Sequence, residues 1–266
     1  MEAVIAGVFG LLIGSFLNVC IYRWPRDLSV VRPRSHCPAC EHTIAWYDNI
    51  PLASFALLRG KCRHCGARIS WRYPLVELLT AALFFWYVHS AGVTLEALRQ
   101  CCFGAMLVGL IFADLEERIL PDEFTVGGAI AGLVFAFFVP VPDETARAIL
   151  WLVGHEPTGV AQSVAESLFG ALFPALFLWG GGWLYQKIRH REGLGFGDVK
   201  LMAMVGSFLG LRGALLTLVL GSVAGTLVGY GYILVTKKDP STYELPFGTF
   251  LGFAAVWVSI WEALPG

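Results

Sequence analysis

The sequence predicts an all-α polytopic membrane protein of about eight transmembrane helices with one small cysteine-stapled insert, and three observations carry that prediction. Charged residues make up 15% of the 266-residue chain and the mean hydropathy is +0.66, whereas a soluble domain carries about 25% charge. Apolar stretches long enough for a hydrocarbon core of roughly 30 Å recur along the whole chain. Two CxxC pairs fall together inside the longest polar stretch that interrupts them.

The apolar stretches lie near residues 3–22, 74–92, 97–113, 123–142, 164–186, 199–211, 213–235 and 247–264, and only Arg212 and Gly213 part the sixth from the seventh. Basic residues orient them. With the first span running from outside to inside, the inner segments hold Arg23, Arg26, Arg32, Arg34, Arg59, Lys61, Arg63, Arg68, Arg72, Arg118, Lys187, Arg189, Arg191, Lys200, Lys237 and Lys238. Only Arg99, Arg147 and Arg212 fall outside. That asymmetry obeys the positive-inside rule and puts the polar insert on the cytoplasmic side. Glu2 precedes the first span and Arg23 and Arg26 follow it, the reverse of a secretory signal peptide, so the first helix is expected to be retained.

Small residues recur four apart in two spans: Gly10 and Gly14 in the first, and Gly221, Gly225 and Gly229 in the seventh. Such spacing lets helix backbones approach closely in lipid, where no hydrophobic force drives association. On the outer side, the "PVPDETARAILWLVGHEPTG" region places Ala146, Ile149, Leu150 and Val153 at helical spacing. It fits an interfacial helix and equally a structured loop. The partner that composition demands is the lipid bilayer; no nucleic acid is expected.

The insert, residues 23–73, holds nine basic residues against Asp27, Glu41 and Asp48. A segment this small needs a staple. "CPAC" at 37–40 and "CRHC" at 62–65 are separated by 21 residues, and each CxxC turn aims two thiolates at one point. Together Cys37, Cys40, Cys62 and Cys65 make the tetrahedral sulfur set of a structural Zn²⁺ site. Cytoplasmic thiols stay reduced, which disfavours two disulfides; an iron site or unligated thiols are the alternatives to zinc. Four protein thiolates leave no open coordination position, so the role is structural. His36 and His64 adjoin the pairs without being needed, and Cys20, Cys101 and Cys102 lie in apolar spans, where they pack as small hydrophobes.

Two aspartates stand at the cytoplasmic ends of spans: Asp114 in "FADLEERILPDEF" and Asp198 in "GLGFGDVKLM". Ionisable groups at membrane depth are functional candidates by default. Each also has a plainer explanation. Asp114 can mark the water boundary and pair with Arg118 at i+4, as Glu116, Glu117, Asp122 and Glu123 nearby look solvated. Asp198 can be a helix N-terminal acid favoured by the macrodipole, with Lys200 as an inside anchor. Gly195 and Gly197 favour chemistry at Asp198, because they remove side chains on both sides of Phe196 and give room for a peptide backbone. If the two carboxylates meet they share one proton, and the pair can activate water while protonating a scissile carbonyl. Their separation of 84 residues leaves that meeting to the fold.

The motifs "GSFLNVCIYR", "CPAC", "IAWYDNIPLASFALLRGKCRHC", "YPLVE", "DLEERILPD" and "GLGFGDVKLM" follow one another in this order, and the chain resembles the type IV prepilin peptidases almost end to end. The resemblance implies that Asp114 and Asp198 of the GxGD motif are the catalytic pair and that the four cysteines bind metal; Gly195, Gly197 and Lys200 are expected to support the pair on the reading of the residues given above. It implies cleavage of a short basic leader after a glycine, in type IV prepilins or type II secretion pseudopilins, at the cytoplasmic face of the bacterial inner membrane. It also implies N-methylation of the new terminus from S-adenosylmethionine. No glycine-rich nucleotide fingerprint is present, so the methyl donor is expected at the insert near "YPLVE", where Glu77 is a candidate or else a partner of Arg72. The expected division is residues 1–22 as the first helix, 23–73 as the insert and 74–266 as the peptidase core. Two other classes share some features: another GxGD intramembrane aspartyl protease, and a zinc-stapled transporter or assembly subunit whose aspartates relay protons.

Overall fold

The computed structural model describes residues 1–155, 157–190, 195–236 and 245–263. Arg191, Lys237, Lys238, Leu264 and the Gly193–Leu194 start of the GxGD stretch lie outside them. The described residues are helical with no strand, in two compact units, Met1–Phe112 and Ala113–Gly266. Residues 74–112 therefore fall in the same unit as the insert.

In the first unit, α1 (Glu2–Arg23) lies antiparallel to α3 (Arg72–Ala91). Gly10 and Gly14 seat the pair: a Cβ at Gly10 would stand 2.8 Å from Ala81 Cα, and one at Gly14 would stand 2.6 Å from Glu77 Cα. One turn further on, Asn18 Nδ2 donates to the Tyr73 carbonyl at 3.1 Å. The small residues thus do what their spacing implies, and their positions fix the register. Between these helices the insert carries a short helix, α2 (Ala53–Leu57), and α4 (Leu95–Glu117) begins after α3. Glu77 is buried in α3 and accepts the Leu52 N–H at 2.8 Å.

In the second unit, α5 (Asp122–Ala136), α7 (Val160–Arg189) and α9 (Phe247–Glu262) pack on α8 (Phe196–Thr236). Gly170 of α7 meets Gly206 and Gly210 of α8 backbone to backbone: a Cβ at Gly170 would lie 2.7 Å from Gly210 Cα. Gly221 sits on Leu251 of α9 and Gly225 on Phe250 and Phe247. The segment between α5 and α7 forms α6 (Thr145–Leu152). Its first N–H groups, at Ala146 and Arg147, donate to the fully buried Glu166 carboxylate of α7 at 2.8 and 2.9 Å, which satisfies donors that a helix start leaves open.

Among the described residues, five helices are long and apolar enough to cross a membrane, against the eight segments read from the sequence. Three differences account for this. The 123–142 stretch yields a helix of 15 residues and the 247–264 stretch one of 16, and the sixth and seventh stretches lie on either side of a kink within α8, which counts once. At 1.5 Å per residue, 15 residues span about 22 Å, short of the roughly 30 Å core. Within α8, Gly210 leaves helical geometry at φ 72° and ψ −175°, a conformation that glycine adopts without a Cβ clash. There the Asp143 carboxylate accepts the Arg212 N–H at 2.9 Å and caps the break.

Candidate active site

Asp114 lies in the last turn of α4 and is 6% exposed. Its Oδ2 accepts two hydrogen bonds from Thr249, one from the backbone N–H at 2.6 Å and one from the hydroxyl at 2.8 Å. Thr249 is the third residue of α9, whose N-cap is Pro246 with no side-chain capping bond. The aspartate thus serves a distant helix as an N-terminal acceptor, and the positive end of that helix favours a carboxylate beside it. Gly248 makes the approach possible: a Cβ there would stand 3.2 Å from Asp114 Cγ and 2.9 Å from a Leu120 methyl.

Asp198 is the third residue of α8 and is 9% exposed. Its N–H closes a turn on the Gly195 carbonyl at 3.1 Å. Its carboxylate is within electrostatic reach of Asp114, so the fold brings together the two acids that stand 84 residues apart. Leu120 lies between their supports, in contact range of both Gly197 and Gly248. Gly197 therefore has a role that differs from the one read in the sequence. A Cβ at that position would lie 3.2 Å from Leu120, so the missing side chain makes way for the "RILPD" turn rather than for open space. At Gly195 a Cβ would lie 3.6 Å from Asp198 Oδ2, beside the acid itself. Lys200 pairs with Asp122, which ties the start of α8 to the start of α5.

Thr249, Gly248 and Leu120 escaped sequence reasoning, whereas Asp122, read as a solvated charge, is exposed and pairs with Lys200. The only local signal was "PFGTF" opening an apolar stretch: a proline-led helix start with no acceptor of its own, whose free donors had to be satisfied from elsewhere.

The cysteine cluster forms in the first unit. The sulfur atoms of Cys37, Cys40, Cys62 and Cys65 all lie within 4.8 Å of one another, with Cys37 and Cys65 at 3.8 Å. A tetrahedral ion with Zn–S bonds near 2.3 Å sets its sulfurs roughly 3.8 Å apart, so the four residues fit zinc. The two knuckles are copies of one another at an offset of 25 residues. Cys37 N–H donates to His42 O at 2.9 Å, and Cys62 N–H donates to Ala67 O at 2.8 Å. Single antiparallel bridges, His36 with Thr43 and Lys61 with Arg68, close both. The N–H groups of Cys65 and His64 hold the Cys62 thiol down to about 7, toward the thiolate that a metal binds. At Cys40 the His42 N–H also favours the thiolate, but desolvation and hydrogen bonds with the other three sulfurs outweigh it and push the thiol up to about 11. Arg63, inside the second knuckle, grips Asp48 through Nε at 2.8 Å and Nη2 at 2.6 Å, and its guanidinium holds the Asp48 carboxyl below its ordinary value.

The duplication has one mismatch. Glu41 (φ 57°) and Gly66 (φ 71°) occupy the same left-handed position, which costs a residue with a Cβ about 1–2 kcal/mol. Glu41→Gly is expected to stabilise the zinc-loaded insert by about 0.5–1 kcal/mol after the gain in unfolded-chain entropy, read as resistance to denaturant-driven zinc release.

A helical membrane protein with a four-thiol cluster that fits a metal in one unit and two neighbouring buried carboxylates in the other is the class that fold and site define. The sequence profile of the Bacterial Peptidase A24 N-terminal domain matches residues 8–91, and that of the Type IV leader peptidase family matches residues 101–230. The chain belongs to the type IV leader peptidase family. It is 40% identical over 267 residues to the prepilin leader peptidase/N-methyltransferase of Myxococcus xanthus, with 99% of this chain and 74% of that protein covered. It is 34% identical to the protein of the same name from Pseudomonas putida, over 96% of this chain and 89% of that one. It is also 33% identical to the type 4 prepilin-like proteins leader peptide-processing enzyme of Escherichia coli, over 98% and 94%. No solved structure matches the chain.

Proposed function

We propose that the protein cleaves the leader of type IV prepilins or type II secretion pseudopilins at the cytoplasmic face of a bacterial inner membrane, with Asp114 and Asp198 as the catalytic pair, and then methylates the new N-terminus. The observation that supports this most is the asymmetric setting of the two acids. Asp114 receives two donors from Thr249, which favour its charged form over that of its neighbour, so in this reading Asp198 keeps the proton the pair shares. Asp114 then takes a proton from the attacking water as its oxygen bonds to the scissile carbonyl carbon, and Asp198 donates to the carbonyl oxygen. When the tetrahedral intermediate collapses, the C–N bond breaks, the amine leaves with the proton held by Asp114, and Asp198 regains its own.

Zn²⁺ on the four cysteines would hold the two knuckles together as a structural ion. The methyl donor, S-adenosylmethionine, carries a sulfonium cation and supplies the methyl group. Trp46 is 74% exposed and in edge contact with Tyr47, an aromatic surface of the kind that attracts such a cation; we place the donor at the insert on that ground. Incubation of the purified protein with a prepilin and labelled S-adenosylmethionine, followed by mass spectrometry of the product's N-terminus, tests both steps. A shortened and methylated product is expected. An intact leader would refute the peptidase reading, and a shortened, unmethylated product would refute the second activity.

The Thr249 hydroxyl has its own test. Thr249→Val keeps the shape and the backbone donor but removes one hydrogen bond to a charged acceptor, worth about 1.5–3 kcal/mol. Cleavage is expected to slow by roughly 10–100-fold, chiefly in kcat, with the protein still folded.

A further inference from the structure

At the Gly210 end of the second unit, two grooves meet at one cation. A groove of 330 Å³ runs beside Leu215 and Val219, and a groove of 430 Å³ runs beside Leu220 and Trp257; Arg212 and Leu216 line both. Leu216 is therefore the ridge between two apolar channels, and Arg212 stands at the head of each. From Arg212 to Leu220 the lining descends about 12 Å along α8. Asp143 fixes the Arg212 backbone, and the Arg212 side chain is exposed. This is one of only three basic residues that the sequence leaves outside. The same end carries Trp261, 67% exposed, and Glu262, both lining the larger groove; tryptophans favour the level of lipid headgroups.

We propose that this surface binds one diacyl phospholipid from the leaflet opposite the aspartates, which lie a helix length away at the other end of Phe196–Leu209. The phosphate sits on the Arg212 guanidinium, the two acyl chains straddle Leu216 in the two grooves, and Glu262 takes the ammonium of a phosphoethanolamine headgroup. One cation at the fork of two apolar channels matches one anionic group joined to two chains. A single-chain amphiphile would leave one groove empty. The adjacent carboxylate selects a zwitterionic head over a purely anionic one. Lys and Arg bind phosphate by charge-assisted hydrogen bonds, and the bilayer supplies the ligand at high local concentration.

Native mass spectrometry of the delipidated full chain, titrated with dioleoyl phosphatidylethanolamine, phosphatidylglycerol and phosphatidylcholine, tests the site. One tightly held lipid is expected, with phosphatidylethanolamine preferred. Arg212→Gln should weaken it about tenfold, the loss of roughly 1.4 kcal/mol, whereas Arg212→Lys should retain most of the binding. Glu262→Gln should erase the preference for phosphatidylethanolamine over phosphatidylglycerol, a readout that stands even where Arg212→Gln does not fold. Soluble glycerophosphoethanolamine, which lacks the chains, should not compete at equal concentration. Lipid retention by a folded Arg212→Gln protein at wild-type strength, an unchanged preference in Glu262→Gln, or full competition by the soluble headgroup would each overturn the proposal.

Discussion

Asp114→Asn and Asp198→Asn are each expected to abolish prepilin cleavage, by at least about 10²–10⁴-fold, the range that a positioned acid or base contributes. Asparagine is the stringent replacement because it keeps the shape and an oxygen acceptor. At position 114 it can still receive the Thr249 donors that define the local geometry, so a loss of cleavage reports the lost proton acceptor rather than a collapsed helix end. At position 198 it removes the proton that protonates the scissile carbonyl. Because the acids act as a unit, Asp114→Asn/Asp198→Asn should be no slower than either single variant. Protease protection of the inserted chain separates loss of chemistry from loss of fold. Full cleavage by either single variant would sink the pair.

Removing thiolates should have the second largest effect. Structural Zn²⁺ sites contribute on the order of 10–16 kcal/mol of apparent binding energy to small domains, and the insert has little else. Cys37 is its one buried apolar residue between Leu28 and Ser70. Cys37→Ser/Cys62→Ser takes one sulfur from each knuckle and is expected to reduce bound zinc from one equivalent to none, measured by elemental analysis. Amide exchange across residues 35–69 should rise to that of an unfolded segment. Retention of one zinc by the double variant would show that the cluster is not the site. The match between the knuckles fits such a site: each delivers two sulfurs to the same point, so the same turn serves twice.

Local chemistry was legible in the sequence and remote chemistry was not. CxxC pairs announce themselves because both ligands lie on one turn, and the aspartates stand out because charge is rare beside apolar runs. Thr249 has neither mark. Its role arises because α9 begins without a cap and Asp114, 135 residues earlier, supplies the acceptor, which no local pattern encodes. Gly197 shows the converse: a glycine stands out in the motif, but only the tertiary contact with Leu120 shows what the missing side chain accommodates. The knuckle duplication was hidden because "HCPACEHTI" and "KCRHCGARI" share only the cysteines and the last isoleucine, while the repeat lies in backbone hydrogen bonds. Hydropathy registers apolar residues but not where a helix stops, as at Ala136, whereas the boundary it drew between the sixth and seventh stretches lies beside the break at Gly210.

The meeting of Gly170 with Gly206 has a mechanical consequence. Where side chains interdigitate, two helices can shift by exchanging rotamers; where bare backbones touch there is nothing to exchange. At the crossing of α7 and α8 the two backbones therefore set the separation of the helices directly, with no side chain between them to absorb a shift. Any methyl group added at either glycine must prise the pair apart, and that separation would travel along α8 as leverage on Asp198, two turns from Gly206.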